Sequence, residues 1–271
     1  MADNKHKIAF LGGGNMAEAM IAGLLKSGSA RRKDIVAADV SSKRRKYLKN
    51  KYGISTEPGN QEAVKGSGTV VLAVKPQVME EVLKAVGALV VPGQLVVSIA
   101  AGITTRYIEK FLKSGVAVVR AMPNTPLLAG AGATAVCRGK FASKKHLNAA
   151  KNIFSVSGTV VETTEDRINA VTALSGSGPA YVFYMAELLK SVGVEMGLKE
   201  NVADALARQT IFGAGLMLKE QDTEAQDLRR MVTSPGGTTE AALKYLHKNR
   251  FAEIFKSAVK QAKKRAGALS K

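Results

Sequence analysis

The chain has 271 residues, 46% of them hydrophobic, and a formal net charge of +18 at pH 7. That length suits one or two folded domains, which usually run to about 100–150 residues each. The single cysteine, Cys137, excludes an intrachain disulfide and cannot by itself build a zinc site, so we expect no metal. No apolar run approaches the roughly 20 residues that a spanning helix needs, so we expect no membrane partner.

The N-terminal sequence MADNKHKIAF passes directly into a strand-like run and lacks the apolar stretch of a signal peptide. We therefore expect a cytoplasmic protein. The positive charge could attract nucleic acid, acidic lipids or anionic metabolites. The sequence shows no zinc-finger spacing, no basic region leading into heptads and no aromatic stacking signature. We interpret the charge as a solvated surface and predict no nucleic-acid partner.

Short apolar runs alternate with amphipathic, helix-like stretches over the first 165 residues. The strand-like runs lie at 7–12, 35–39, 54–58, 69–74, 95–100, 116–122, 133–137 and 159–163. Most are continuous Val, Ile and Leu runs, which are typical of strands buried on both faces of a mainly parallel sheet. The alternation predicts an α/β, Rossmann-type doubly wound domain.

After Asp166 the strand-like runs stop, and helical patterns follow at 180–196, 201–219, 238–246 and 251–268. The sequence therefore predicts a Rossmann domain at 1–166 and an all-helical domain at 167–271. The helix at 180–196 is apolar on opposite sides and needs partners on both faces. A dimer interface is the expected source of one of them.

The first apolar run ends in a glycine-rich turn. Residues 12–17, GGGNMA, fit G-x-G-x-x-[G/A] directly after a strand and at the start of a helix. Gly12 permits the tight turn, and Gly14 lets the backbone approach a pyrophosphate. The helix N-terminus offers unpaired N–H groups and a partial positive charge to the phosphates. The sequence predicts a dinucleotide cofactor here.

The choice between NADH and NADPH stays open. Asp39 ends the second strand, where an acid hydrogen-bonds the ribose 2′-hydroxyl of NAD and repels the 2′-phosphate of NADP. The residues just beyond it, Ser41–Arg45, offer hydroxyl and guanidinium groups that could hold that phosphate. The two features favour different cofactors.

Five further blocks follow the glycine turn, namely AVKP (73–76), VVSIAAG (96–102), MPNTP (122–126), LSGSGPAY (174–181) and SPGGTT (234–239). In this order, and over nearly the whole chain, the blocks resemble Δ1-pyrroline-5-carboxylate reductase. SGSGPAY and SPGGTT carry most of the resemblance, because the other blocks occur more widely.

The resemblance implies a Rossmann domain followed by a helical dimerisation domain, in homodimers that commonly assemble into decamers. It implies NAD(P)H-dependent reduction of the cyclic imine 1-pyrroline-5-carboxylate to L-proline, the last step of proline biosynthesis. The implied cofactor contacts are Leu11, Gly12, Gly13, Gly14, Asn15, Met16, Asp39, Asn60, Ala73, Val74, Lys75, Pro76, Ile99, Ala100 and Ala101. The implied substrate contacts are Val232, Ser234, Gly236, Gly237, Thr238 and Thr239, with the Thr239 hydroxyl near the ring nitrogen.

The segment 234–239 also has its own chemical interpretation. Two glycines free the backbone, and successive N–H groups before a helix form a cradle for a carboxylate. An ordinary capped helix start is the alternative. Either Thr239 or water could supply the proton to the imine nitrogen. Because a threonine hydroxyl is a poor acid, we expect Thr239 to orient the substrate.

Two strand-end residues are further candidates. Lys75 could contact the nicotinamide ribose or favour substrate approach, and a solvent-facing lysine is the alternative. Asn124 could contact the nicotinamide, with a turn-forming asparagine as the alternative. LSGSGPAY is expected to serve packing rather than chemistry.

Two rival functions remain. A β-hydroxyacid dehydrogenase or imine reductase would need a lysine or aspartate on a helix of the second domain, where Lys190 and Asn169 form no recognisable motif. A non-catalytic dinucleotide sensor or nucleic-acid binder would exploit the charge, and its binding would fall steeply with salt.

Overall fold

The computed structural model describes residues 6–270, with side chains from residue 8 onward. Its eight strands are β1 (His6–Leu11), β2 (Ile35–Ala38), β3 (Ser55–Glu57), β4 (Ser67–Leu72), β5 (Leu95–Ser98), β6 (Ala117–Met122), β7 (Gly132–Arg138) and β8 (Gly158–Glu162). They form one sheet in the order β3-β2-β1-β4-β5-β6-β7-β8. Every pair is parallel except β6 with β7. The predicted Rossmann-type sheet is confirmed.

Helices follow most strands. They are α1 (Asn15–Lys26), α2 (Ser42–Tyr52), α3 (Asn60–Val64), α4 (Met79–Val86), α5 (Thr105–Glu109), α6 (Lys144–Ser155) and α7 (Ile168–Val171). Single 3₁₀ turns lie at Arg32–Asp34, Pro76–Val78, Thr125–Ala129 and Glu165–Arg167, and a π turn lies at Thr172–Gly176. These elements return the chain to the start of the next strand.

The sheet is buried on both faces. Successive side chains of a strand point to opposite faces, so Phe10 joins one hydrophobic cluster and Leu11 the other. The first cluster packs α1 and α6 against the sheet, and the second packs α3 and α4. Burial on both faces is why the strands are continuous apolar runs.

The chain divides into two compact units. One contains the residues up to Gly176 and those from Ala262 onward; the other is Ser177–Gln261. Residues just after 166 still pack on the sheet, since Ile168 lies against Ala135 and Cys137. The strand-like sequence pattern stops at the last strand, whereas the chain continues to pack against the sheet for several more residues. The predicted division at 166 stays a prediction.

The last turn of the chain is part of the first unit. Gly102 has φ +74°, and a Cβ on it would lie 2.6 Å from the carbonyl oxygen of Leu269. The Ser270 hydroxyl lies 3.1 Å from the Asn169 side-chain oxygen. Glycine at 102 therefore permits both the turn and the close approach of the C-terminal helix.

The second unit is helical, as predicted. Its helices are α8 (Gly178–Glu195), α9 (Glu200–Glu220), α10 (Ala225–Met231), α11 (Thr238–Lys248) and α12 (Phe251–Ala268), of which α12 ends in the first unit. Gly193 is the one buried residue of α8, while Phe183, Tyr184 and Phe212 are about three-fifths exposed. Such apolar surface is larger than single protein chains usually leave uncovered. Nowhere between residues 6 and 270 is a helix long and apolar enough to span a bilayer.

Candidate active site

The turn between β1 and α1 consists of three glycines. Gly12 has φ +96°, and a Cβ there would lie 2.7 Å from the Ala73 carbonyl oxygen. Its N–H donates to the Ala38 carbonyl at 2.8 Å. Any other residue would be strained in this conformation and would push β1 away from the end of β4.

Gly14 precedes the first residue of α1. It is exposed, and a Cβ on it would meet no atom within 4 Å. No side chain caps this helix. The first-turn N–H groups, at Asn15 and Met16, therefore have no side-chain cap and lie at the positive end of the helix dipole. This is the arrangement that a pyrophosphate requires.

Asp39 is tied to this turn. Its Oδ2 accepts a hydrogen bond from the Gly13 N–H at 2.9 Å, and its Oδ1 accepts one from the Ser41 N–H at 2.8 Å. The carboxylate therefore has a structural role that the sequence did not reveal. Its lone pairs outnumber these two donors, so a ribose hydroxyl can still be accepted.

The two arginines after Asp39 are already engaged. The Arg44 guanidinium donates to the Gly13 carbonyl and to Glu18, and that of Arg45 donates to the carbonyls of Asp39 and Val40. Ser41 caps α2, accepting from the Arg44 N–H at 3.2 Å. A 2′-phosphate would have to compete for the arginines, whereas Ser42 and Lys43 are exposed.

Glu18 is a polar centre that sequence reasoning missed. Its Oε1 accepts from Tyr47 at 2.9 Å, Lys51 at 3.0 Å and Tyr52 at 2.8 Å, and its Oε2 pairs with Arg44. Burial alone would raise the pKa of Glu18, but these hydrogen bonds together lower it to about 2. The signal was a lone acid in α1 that preceded the strongly basic α2. The cluster fixes α2 beside the glycine turn.

The predicted cofactor residues lie beyond the carboxyl ends of adjacent strands. β1 pairs with β2 and β4, and β4 pairs with β5, all in parallel. The glycine turn, Asp39, Ala73–Pro76 and Ile99–Ala101 therefore meet at one edge of the sheet. Asn60 begins α3 beyond β3, at the same edge. This crevice is where ligands bind in open α/β sheets.

A largely apolar cavity of about 290 Å³ adjoins Pro76 and Ala101. Its other walls include Gln77, Ile103, Thr172 and Leu269. Lys75, which precedes Pro76, is exposed at the start of the 3₁₀ turn. The cavity provides a largely apolar surface beside two residues that are predicted to contact the cofactor.

Asn124 is nearly buried, with 9% of its surface exposed. Its Nδ2 donates to the Ser175 carbonyl at 3.1 Å, and its Oδ1 accepts from the Ala133 N–H at 2.8 Å. Both ends of the amide serve the backbone. This geometry favours the turn-forming alternative, and a nicotinamide contact stays a prediction.

The predicted substrate loop precedes α11 in the second unit. Gly236 has φ +73°, and Gly237 precedes the helix without a side-chain cap. Ser234 is exposed, as are Val232 and Thr238, and Thr239 in the first helical turn is half-buried. The Gly237 N–H donates to the Ser234 carbonyl at 3.0 Å. The N–H groups at a helix start such as this one can hold a carboxylate once they are released from partners within the loop.

Glu240 also contacts this loop, which the sequence did not reveal. Its Oε2 accepts from the Gly236 N–H at 2.9 Å and lies 3.0 Å from Lys244 Nζ. The hydrogen bond from Lys244, followed by that from Gly236, lowers the pKa of Glu240. A carboxylate of the chain itself thus accepts one amide of the loop, and substrate binding by this loop stays a prediction. Across residues 6–270 no three His, Cys, Asp or Glu side chains form a metal-ligand group.

Comparisons with known proteins match both parts of the chain. A model described as pyrroline-5-carboxylate reductase dimerisation matches residues 165–269, and one described as NADP oxidoreductase coenzyme F420-dependent matches residues 7–102. The pyrroline-5-carboxylate reductase of Synechocystis sp. is 41% identical over 98% of this chain and 98% of its own length. This chain belongs to the pyrroline-5-carboxylate reductase family. The family predicted from the sequence blocks is confirmed.

Solved structures of pyrroline-5-carboxylate reductases agree with this membership. The Coxiella burnetii protein superimposes with a TM-score of 0.93 at 38% identity, covering 99% of this chain and 100% of that one. The Plasmodium falciparum pyrroline carboxylate reductase, solved with NADP bound, superimposes with a TM-score of 0.86 at 29% identity, covering 99% of each chain.

Proposed function

We propose that this chain reduces the C=N bond of 1-pyrroline-5-carboxylate with a hydride from NADPH or NADH, giving L-proline. Membership of the family over the whole chain length supports the activity. The observation that carries the proposal is the uncapped start of α1, with open space above Gly14. A structural turn with no ligand would leave these N–H groups unused.

The residues of the first unit fit a dinucleotide. Gly12–Met16 would hold its pyrophosphate and Asp39 its ribose hydroxyl. Ala73–Pro76 and Ile99–Ala101 would border the nicotinamide, for which the neighbouring 290 Å³ cavity is large enough. When bound, the reduced nicotinamide supplies the hydride.

The residues of the second unit fit a small carboxylate. The amides at Gly236, Gly237 and Thr238 would bind the substrate carboxylate. Glu240 would then release the Gly236 amide, and the Ser234 carbonyl would release the Gly237 amide. The imine carbon gains the hydride, and the nitrogen keeps or gains a proton. Because a protonated C=N bond becomes a neutral amine, the protein needs chiefly to position it. Thr239 would orient the nitrogen, and Lys75 would attract the anionic substrate.

We further propose that the active form is a homodimer, which assembles into a decamer. The family model that matches residues 165–269 describes the dimerisation domain of pyrroline-5-carboxylate reductase. The exposed apolar side chains of α8 and α9 support it, because a partner would bury them. A cytoplasmic location also stays a prediction.

A steady-state assay tests the activity. The purified protein is supplied with pyrroline-5-carboxylate and NADPH or NADH, and in a separate assay with a 3-hydroxy acid and NADP+ or NAD+. We expect turnover of the imine alone, and turnover of the hydroxy acid alone would reject the proposal.

Variants of two threonines test the site. Thr239→Val removes the proposed orienting hydroxyl and keeps the side-chain shape, and we expect kcat to fall about tenfold to a hundredfold. Thr233→Val is the control, because its hydroxyl already donates to the Arg229 carbonyl at 2.6 Å. Equal activity of the two variants would remove Thr239 from the mechanism.

A further inference from the structure

Arg120 is a buried cation within the sheet. It lies in β6, is 2% exposed, and its Nη1 contacts Glu165 Oε1 at 2.5 Å. Within residues 6–270 its Nη2 has no hydrogen-bond partner. The Glu165 side chain is 31% exposed, so only Arg120 is fully buried. Removing the guanidinium from water costs free energy that offsets much of its attraction to Glu165. A role in fixing a unique arrangement would explain this pair better than stability does.

Glu165 joins three elements at one point. Besides Arg120 of β6, its carboxylate accepts from the Thr105 hydroxyl of α5 at 2.7 Å. It also lies 3.7 Å from the Cys137 thiol of β7. Burial first, and then the charge of Glu165, raises the pKa of Cys137 to about 12, so the thiol stays protonated. Glu165 opens the segment 165–176, after which the chain leaves the first unit until Ala262.

The other end of that segment is also attached to β6. Asn124, in the turn after β6, donates to the Ser175 carbonyl at 3.1 Å. A Cβ on Gly176 would lie 2.7 Å from the Met122 methyl group, so the Met122 side chain packs directly against the Gly176 backbone. One strand and its following turn therefore hold both ends of the segment.

Between these attachments the chain forms the π turn Thr172–Gly176. The Thr172 hydroxyl donates to the Ile168 carbonyl at 2.9 Å, and that of Ser175 donates to the Val171 carbonyl at 3.2 Å. Such π turns are less favourable than regular helix and often occur at functional sites. An unfavourable turn persists when its surroundings determine its shape.

We propose that Arg120, Glu165 and Asn124 are positioning residues for the reductase, which fix where and in which direction the chain leaves the first unit at Gly176. The inference rests on the proposed function. Hydride transfer is sensitive to displacements of about 1 Å, so a loosened segment lowers the rate even when both ligands still bind.

A double variant separates positioning from stability. Arg120→Met with Glu165→Gln removes both charges, leaves no charge unpaired and keeps an acceptor for Thr105. We expect its dinucleotide Kd, measured by NADPH fluorescence, to stay within about twofold, and its kcat to fall at least about tenfold. The deuterium isotope effect on kcat should rise, because hydride transfer becomes more rate-limiting. Lys84→Met with Glu80→Gln, an exposed pair in α4, is the matched control.

Amide hydrogen exchange gives a readout independent of activity. We expect the amides of residues 168–176 to exchange at least about tenfold faster in the double variant and in Asn124→Ala than in the native chain. Their exchange rates should be unchanged in the control. Unchanged exchange, or a kcat within twofold of the native chain, overturns the inference. A native chain that reduces no imine overturns the proposed function instead, and the exchange rates then decide the positioning role alone.

Discussion

The Gly13 N–H donates a 2.9 Å hydrogen bond to the Asp39 carboxylate, joining the phosphate-binding turn to the end of β2. The same carboxylate accepts from Ser41. The residue that sequence reasoning assigned to ribose recognition thus also shapes the turn. Its negative charge is held in one place, where it would repel a 2′-phosphate.

Replacing Asp39 should change cofactor preference. Asp39→Ala removes the charge, and we expect kcat/KM for NADPH relative to NADH to rise about tenfold, or about 1.4 kcal/mol. It should also lower the free energy of unfolding by about 1–3 kcal/mol, because two amides lose their acceptor. Asp39→Asn keeps one acceptor oxygen, so it should show the same preference with a smaller loss of stability. An unchanged ratio in both variants would show that Asp39 does not select the cofactor.

Two glycines of the turn should respond differently to alanine. Gly12→Ala places a Cβ 2.7 Å from the Ala73 carbonyl oxygen at φ +96°, so it should unfold at a lower temperature and bind dinucleotide poorly. Gly14→Ala meets no protein atom within 4 Å, so its Tm should stay close to the native value. Its Cβ enters the space proposed for the pyrophosphate, so its dinucleotide Kd should rise at least about tenfold. Calorimetry and titration check both, and a native Kd for Gly14→Ala would place the phosphates elsewhere.

The pKa of Glu18 predicts a pH-dependent contribution to stability. The pKa is about 2 in the folded chain, against an ordinary value of 4.5. A lowered pKa means that the contribution is complete above about pH 4.5 and is lost as the pH falls towards 2. Glu18→Gln should lower the free energy of unfolding by about 1–3 kcal/mol at pH 7, since it loses charge-assisted hydrogen bonds.

Urea unfolding from pH 7 down to pH 3 measures this effect. The difference between Glu18→Gln and the native chain should shrink as the pH falls. Glu220→Gln, an exposed change at the end of α9, is the control. Its free energy of unfolding should lie within about 0.5 kcal/mol of the native value at every pH. If the difference in free energy of unfolding between Glu18→Gln and the native chain stayed constant with pH, the charge of Glu18 would not contribute to stability.

The assembly should depend on the apolar surface of the second unit. Phe212 in α9 is 62% exposed in the single chain. Phe212→Asp should convert a dimer or larger assembly to single chains at micromolar concentration, because a buried unpaired charge costs several kcal/mol. Gln209→Asp, an exposed polar change on the same helix, should keep the native mass in light scattering. Native mass in both variants would place the interface elsewhere.

Local sequence patterns predicted the fold and the glycine turn well, because each depends on neighbouring residues. Continuous apolar runs indicated the strands, and the spacing of Gly12 and Gly14 indicated the turn. Other features depend on contacts between distant positions. Glu18 contacts Tyr52, and Arg120 contacts Glu165, because the fold brings together residues that are 34 and 45 positions apart in the sequence. No spacing rule in a single sequence predicts such pairs.

The sequence also did not reveal that two predicted cofactor residues have a structural role. Asp39 and Asn124 were both assigned to the cofactor, since each lies at a strand end where ligands bind. The structure shows that both also accept backbone N–H groups. Turn-forming asparagine was a stated alternative for Asn124, and only the distances to Ser175 and Ala133 favour it.

The packing of Leu269 on Gly102 has a practical consequence for making this enzyme. Anything fused after the C-terminal helix starts beside the turn that follows β5, near Ala101 and the apolar cavity. We expect an affinity tag placed there to change the cofactor kinetics. Purification handles belong at the other terminus, and screens for inhibitors should use protein with an unmodified tail.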